Sequence, residues 1–383
     1  MSNQDYLIET QSTKSDVRLH DRLHGLDGLL VDVIIVSWNH AHFMDALFSS
    51  LTHVAYPKDK WRLHIVINKD GDGTLEAVNR LRQMYKTQLP QIIIHEPHAN
   101  LGFSGGNNLA ITWAKQNKSN YVFLLNPDTE VTPDFLVEAL MVAAADPHIG
   151  TVQSLLLRGQ ERDQINSKGN AIHFLGFGYC LGDRDPISTA PKELTDITYS
   201  SGAAVLIPIK VLDQIGYLDE TLHAYHEDLD FGWRVLLTGR RNVLAPKSIV
   251  YHHYEFSRSI RKWELMERNR LAVVLKNYSL PTVIVLLPAM LATDLAIYTF
   301  ALKGGWFWKK FKANCWFLKI STWKYLLSGR ARIRQIRVVP DRFLLSYFTY
   351  KIEYQELKSG WAERIANPFW QALYISYRIL IQW

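Results

Sequence analysis

The sequence predicts an α/β protein: a doubly wound, mostly parallel sheet, followed by a C-terminal helical, membrane-associating region. Three observations predict it. Short apolar runs rich in β-branched residues recur at 30–36, 63–67, 92–94 and 121–125, the signature of strands buried on both faces. Helical patterns at 42–51, 75–85, 106–116 and 133–145 alternate with them, and that alternation makes crossover units. After about Ser279 the pattern changes to apolar and basic helices.

The chain divides accordingly. Residues 1–29 are a polar extension with no apolar stretch behind a basic start, so no signal peptide is expected. Residues 30–279 carry the α/β pattern. Within them, the stretch from Gln153 to Thr198 has weak periodicity and many turn formers, and regular structure resumes at 201–207, 211–215 and 228–237. Residues 280–383 form the basic, aromatic-rich helical region. The 383 residues are 48% hydrophobic and 21% charged, ordinary for one large domain with an appendage. Two distant cysteines, Cys180 and Cys315, argue against a disulfide scaffold or a Cys-rich zinc site and for a cytoplasmic protein.

The net charge of +6 matters less than its placement. From Lys303 to Arg337 there are ten Lys or Arg and no Asp or Glu, interleaved with Trp306, Phe307, Trp308, Phe311, Trp316, Phe317 and Trp323. Cations mixed with Trp suit an anionic membrane surface. Single-stranded nucleic acid is the rival partner for such a pattern. The membrane is preferred because Pro281–Leu302, just upstream, is almost long enough to span a bilayer. Pro288 and Asp294 interrupt it, so an interfacial or re-entrant helix is expected; a helix buried on the α/β domain is the plainer alternative.

Four segments carry chemistry. Asn126-Pro127-Asp128 follows the strand at 121–125 and delivers a carboxylate to the open edge of a sheet, where it can bind a divalent metal, or it is a turn whose Asp caps a helix. Asn100–Asn108 has glycines that let backbone approach a ligand, or form a capped turn; it fits neither a Rossmann fingerprint nor a phosphate loop. In His226–Arg234, the carboxylates Glu227, Asp228 and Asp230 crowd a helix start, where repulsion can keep one of them basic or the helix dipole can simply favour them. Val250–Tyr254 ends in His252 and His253, which point to opposite faces of a strand, so at most one reaches the site of Asp128.

These segments, with Ser37-Trp38-Asn39, Ser201-Gly202-Ala203 and Gly216–Glu220, stand in an order that resembles family 2 glycosyltransferases of the GT-A fold, most nearly the rhamnosyltransferase-like branch that builds bacterial surface polysaccharides. The similarity covers about residues 30–280. The resemblance implies that Asp128 and His252 bind Mg²⁺ or Mn²⁺, with Asn126 replacing the first acid of the D-x-D-type motif. It implies that Asp228 is the general base, tuned by Glu227 and Asp230. Ser37, Asn39, Asn68, Asp70, Asn100, Gly102, Asn107, Asn126, Ser201 and Gly202 would contact the donor. Trp233, Arg234, Arg258 and Arg261 are weaker expectations for the acceptor, with Arg268 and Arg270 beside them. One departure matters: where the family carries Asp-Asn after the second strand, this chain has Ile67-Asn68, so Asn68 or Asp70 takes over nucleotide recognition or that recognition is altered.

The expected activity is inverting transfer of a sugar, with dTDP-rhamnose the favoured donor, to a hydroxyl of a glycan or polyisoprenyl-diphosphate-linked glycan at the cytoplasmic face of the inner membrane. A degenerate sugar-nucleotide-binding or scaffold protein is the alternative. A nucleotidyltransferase would need a basic loop after the first strand, and Ser37–Ala41 offers none. No nucleic-acid partner is expected; a homo-oligomer is left open by the aromatic helices.

Overall fold

The computed structural model describes residues 25–69, 71–254, 261–351 and 360–383, without the side chains of 261–262 and 360–366. Strands β1 (Val31–Ser37), β2 (Trp61–Ile67), β3 (Gln91–His95) and β4 (Tyr121–Leu125) pair in parallel, in the order β4-β1-β2-β3. Helices α1 (Met44–Leu51), α2 (Thr74–Met84) and α3 (Gly102–Gln116) are the crossovers between them. After β5 (Thr129–Val131) and α4 (Phe135–Ala145) the sheet becomes mixed. The long β6 (Ile149–Arg158) and β11 (Ala204–Pro208) are antiparallel, as are β11 and β4, while β12 (Arg241–His252) runs parallel to β6.

β1 is a two-faced strand. Val31, Val33 and Ile35 enter one core with α1, α2 and α4. Ile34 enters another with α3, α5 (Ile209–Ile215) and α6 (Glu227–Leu237). Alternate residues therefore feed helices on both sides of the sheet, the reason its strands read as nearly continuous apolar runs.

Two expectations need correction. The helix foreseen from Gly106 begins at Gly102, so the glycine-rich segment is its first turn. Gly102 sits at φ +70, and Asn100 Oδ1 accepts its N–H at 2.8 Å, an opening that periodicity does not reveal. The weakly patterned stretch after Gln153 forms short strands: β7 (Ile165–Ser167), β8 (Asn170–Ile172), β9 (Gly178–Cys180) and β10 (Thr195–Ile197). Three residues each are too few to display a period.

Helices α7 (Arg261–Asn277), α8 (Leu280–Lys303), α9 (Phe307–Cys315), α10 (Ile320–Ile336), α11 (Asp341–Tyr347) and α12 (Gly360–Leu380) follow. All of these but α9 share a core with Ile172, Phe174, Trp233 and Leu237, so this core runs across residue 279. One face of α8 buries Val283, Leu286, Ala289 and Met290. The other exposes Leu280, Ile284, Leu287, Leu291 and Leu295. α8 is long and apolar enough to cross a membrane by length and composition. Its Asp294 pairs with Lys310, which also donates to Glu267 at 2.9 Å.

That ion cluster generates the first prediction. Burial would raise the Glu267 pKa, but Arg270 and Lys310 hold it down at about 2, so its contribution to stability is present above the ordinary 4.5 and fades as pH falls towards about 2. Lys310→Met strands Glu267 and Asp294 beside one remaining arginine and is expected to lower the unfolding free energy by about 3 kcal/mol near neutral pH. Urea unfolding would measure it, and an unchanged midpoint would mean the cluster holds nothing together.

Candidate active site

The carboxyl ends of β1, β2 and β4 and the start of the antiparallel β11 lie along one edge of the sheet. Pairing of β12 with β5 sets His252 opposite Thr129 at that edge, and His253 N–H donates to the Asp128 carbonyl at 2.8 Å. His252 Nε2 then lies 3.4 Å from Asp128 Oδ1. His253 turns the other way, to Glu130 at 2.8 Å. Asn126 follows β4, donates its N–H to the Ala203 carbonyl at 2.9 Å, and holds its side chain 3.5 Å from His252 Nε2.

Two features fit this pair to a divalent cation. Asp128 Oδ1 is buried without a hydrogen-bond partner. His252 Nδ1 lies 2.9 Å from Asn166 Oδ1, an acceptor, so Nδ1 carries the proton and Nε2 presents its lone pair towards Asp128. Cis ligands of an octahedral ion at ~2.1 Å stand about 3.0 Å apart, close to the observed separation. Burial pushes the Asp128 pKa up, and positive charge at His252, with His40, outweighs this and keeps the acid below its ordinary range; with Nε2 unprotonated, that charge would have to come from a bound cation. Among the described residues no group of three or more His, Cys, Asp or Glu surrounds a metal position. The pair would need oxygens from a ligand to complete the shell.

The other half of the site is the start of α6. Asp228 Oδ2 accepts from Gly202 N at 3.2 Å and Oδ1 from Leu229 N at 2.7 Å. Burial raises its pKa against the pull of these amides. Glu227 is more deeply buried, and burial with the charges of Asp228 and Asp230 drives its pKa well up, leaving it the protonated partner. Repulsion among the acids therefore acts on Glu227, while burial sets Asp228. The turn before β11 joins the halves: Gly202 holds Asp228, and Ala203 holds Asn126. A side chain at Gly202 would run into Phe103.

The loop leading into α6 is strained. His223, Tyr225 and His226 stand at φ +65, +67 and +68, conformations that cost non-glycine residues about 1–2 kcal/mol each. Asn269 of α7, fully buried, holds the loop by donating to the carbonyls of Leu222, Ala224 and Tyr225 at 2.9, 3.0 and 2.7 Å.

Several expected site residues serve other ends. Asp230 is fully buried and turned to Arg234 and Lys276, at 2.9 and 2.8 Å, so it does not tune Asp228. Arg234 also donates to the carbonyls of Ile215 and Tyr217, at 2.8 and 2.9 Å, and is not an acceptor contact. Trp233 is in the core, edge-on to Tyr278 and Phe348. Arg270 is buried on Glu267, and Arg268 binds the carbonyls of Thr221 and Leu222.

Asn68 is 2% exposed and its amide bonds to Asn100 Oδ1, Gly102 O and Leu101 N, so it shapes the 100–102 loop from behind. Asn107 is buried, bonded to its own helix at Phe103 O. Ser37 closes β1 with its Oγ buried and unpartnered. Asn39 is exposed just beyond it, and Ser201 is tied to Gln153 at 2.8 Å. Asp70 and Arg258 lie outside the described residues, as does the side chain of Arg261. Sequence reasoning missed Asn166, Asn269 and Gln153, buried amides that no local pattern distinguishes from turn or surface residues.

Residues 32–213 match the family described as Glycosyl transferase family 2. The chain is 26% identical over 144 residues to the low-salt glycan biosynthesis hexosyltransferase Agl10 of Haloferax volcanii, covering 35% of this chain and 43% of that protein. It is 25% identical over 206 residues to the N-acetylglucosaminyl-diphospho-decaprenol L-rhamnosyltransferase of Mycobacterium tuberculosis, covering 49% of this chain and 64% of that protein. The chain thus spans less than two thirds of either relative. The structure of GalNAc-T7 with UDP, GalNAc and Mn²⁺ superposes with a TM-score of 0.52 at 14% identity, covering 65% of this chain and 48% of that one. The fold is of the GT-A type.

The Asn166–His252 bond yields a prediction. Asn166→Ala frees the imidazole to rotate and is expected to weaken Mn²⁺ binding by the protein–nucleoside diphosphate complex by about 10–100-fold. Electron paramagnetic resonance of free Mn²⁺ would report it. Equal binding by both proteins would remove Asn166 from the site.

Proposed function

We propose, from the premise that residues 32–213 form a family 2 glycosyltransferase domain, that this protein is an inverting glycosyltransferase. It moves a sugar from a nucleoside diphosphate to a hydroxyl of a glycan or lipid-linked glycan. One observation carries the reading: the 201–203 turn joins a metal-fitted pair, Asp128 and His252, to a carboxylate of raised pKa, Asp228. A low-pKa acid beside a histidine and a high-pKa acid near it are what a metal ligand and a general base require.

Asp128 and His252 would hold Mg²⁺ or Mn²⁺, whose charge would offset that developing on the departing diphosphate. Asp228 Oδ accepts the proton of the acceptor hydroxyl as its oxygen bonds to the anomeric carbon and the bond to the diphosphate oxygen breaks. Glu227, holding its own proton, adds no second negative charge there. Asn39, Asn100, Gly102, Asn126, Ser201 and Gly202 remain the donor-side residues of this reading. dTDP-rhamnose is the favoured donor, supported by the rhamnosyltransferase relative, whose name also describes a polyisoprenyl-diphosphate acceptor.

Residues 30–279 would be the catalytic part and 280–383 the membrane-associating part, at the cytoplasmic face. The exposed stripe of α8 and the exposed Trp308, Phe311 and Trp323 support that placement. These three aromatics sit within the basic segment from Lys303 to Arg337.

Release of nucleoside diphosphate from dTDP-, UDP- and GDP-sugars, with a membrane lipid extract as acceptor, tests the reading. One donor is expected to turn over, with activity abolished by EDTA and by Asp128→Ala, and lowered about 10²–10⁴-fold in Asp228→Asn. Donor binding without turnover would leave a sugar-nucleotide-binding scaffold instead.

A pH profile gives a separate check. Since burial raises the Asp228 pKa and the base acts deprotonated, kcat/KM is expected to fall as pH drops through a midpoint above the ordinary 3.8. That limb should vanish in Asp228→Asn. Its persistence there would assign the proton to another group.

A further inference from the structure

A second cavity, of about 230 Å³, opens on the helical region away from the residues assigned above. Its walls are the end of α7 (Lys276, Tyr278), the turn into α8 (Ser279, Leu280, Pro281) and the last turns of α10 (Arg330, Ile333, Arg334) with Arg337. Positive charge exceeds negative there. Lys276 is matched by Asp219 and Asp230, at 2.5 and 2.8 Å. Asp341 pairs with Arg337 at 2.6 Å and gives its other oxygen to Ser279 N at 2.8 Å. Arg330 is fixed through Nη1 to the carbonyls of Leu275 and Tyr278 and forms no salt bridge among the described residues, feeling Asp341 only at longer range. Arg334 is exposed and, among the described residues, has no partner. After burial, the neighbouring Arg337 and Arg334 are what depress the Arg330 pKa, a sign of guanidinium crowding that an anion would relieve.

The rim of this cavity is apolar in a particular way. Leu280 and Pro281 line it, and Leu280 begins the stripe that continues through Ile284, Leu287, Leu291 and Leu295. These positions recur at helical spacing on one face of α8. An aliphatic stripe headed by arginines matches an amphiphile: phosphate at the head and hydrocarbon behind it. A helix lying with its apolar face ~5–10 Å into the headgroup–acyl boundary brings its flanking cations to the level of the lipid phosphates. Nucleic acid would be met by stacking aromatics beside the arginines, and the residues lining the cavity include only Tyr278.

We propose that the pocket formed by Arg330, Arg334 and Arg337 at the head of α8 is a binding site for the phosphate of an anionic membrane phospholipid. Arginine forks suit phosphate oxygens in paired contacts, and one lipid held there fixes the rotation of α8 on the surface. The inference rests on the membrane placement proposed above and is separable from it.

The test uses the full chain and flotation with phosphatidylcholine vesicles, with and without phosphatidylglycerol. Wild type is expected to float with phosphatidylglycerol. Arg334→Glu should lose roughly ten-fold or more in affinity. Arg332→Glu makes the same charge change on α10 but lines a neighbouring cavity, and should lose only about two-fold through the screened general field. Arg334→Gln is the milder variant should the reversal disturb the fold, which thermal melts would show; it should lose less than Arg334→Glu and more than Arg332→Glu.

Equal losses in Arg334→Glu and Arg332→Glu would reduce the pocket to a diffuse basic surface and overturn the inference while leaving the membrane placement intact. Flotation with neither vesicle would overturn both. Inorganic phosphate raising Tm as far as a short-chain phosphatidylglycerol does would make this a free-phosphate site, and RNA binding in place of flotation a nucleic-acid site; either result rejects the lipid.

Discussion

A carboxylate with no access to water ties the start of α6 to the end of α7. Asp230 is fully buried, and its charge is met by Arg234 on its own helix and by Lys276 and Asn277 at the end of α7. Withdrawing α7 would leave Asp230 facing Arg234 alone in a low-dielectric interior, at a cost of several kcal/mol. The helix that carries Asp228 is therefore seated by α7 as well as by the sheet. Asn269, two turns earlier on α7, adds the clamp on the carbonyls of Leu222, Ala224 and Tyr225. Through Leu229 and Trp233 of α6, Ala272 and Val273 of α7 and Val283 and Leu286 of α8, the same helices also share one core that crosses residue 279.

The two ends of the site are built by different means. Asp128 and His252 are set by strand register, from β5 against β12, and the imidazole is oriented by Asn166. Asn166 is in turn 3.4 Å from Asp183, which Arg158 engages at 3.2 Å. Strand ends are stiff, and this chain of polar contacts makes the histidine stiffer still. Asp228 instead follows a loop held in left-handed conformations by one asparagine side chain. Strain beside a functional group is stored only where the surroundings over-determine it. In the proposed transferase, the metal side would be the fixed reference and the base side the part able to adjust to an acceptor.

What could be read in the sequence follows from how many jobs a residue type can do. The strands at 31–37, 61–67 and 121–125 were legible because a β-branched run buried on both faces has few other uses. Asp128 and His252 were legible as an ordered pair through family resemblance, and the structure sets them within 3.4 Å. Asparagines and arginines were not legible. Asn68, expected at the nucleotide, ties down Asn100–Gly102, and Arg270, expected at the acceptor, neutralises Glu267. A buried amide or guanidinium can satisfy a ligand or the backbone of its own chain, and only the three-dimensional contacts decide. Trp233 shows the same ambiguity for aromatics, since spacing along α6 turns it into the core.

The geometry of α8 bears on how a membrane would meet this chain. Largely apolar, the helix could span a bilayer by length and composition, yet one of its faces is committed to protein. Asp294, the residue that would obstruct insertion, is bound to Lys310 and Asn314 of α9, and Lys310 also serves Glu267 of α7. Moving α8 into the bilayer core would break that cluster, strand Glu267 and expose the apolar positions it covers. Lying on the surface costs none of these contacts and uses only the face that is already bare. Were α8 to meet a membrane, an interfacial position would keep these buried charges paired and leave the core it shares with α6 and α7 intact.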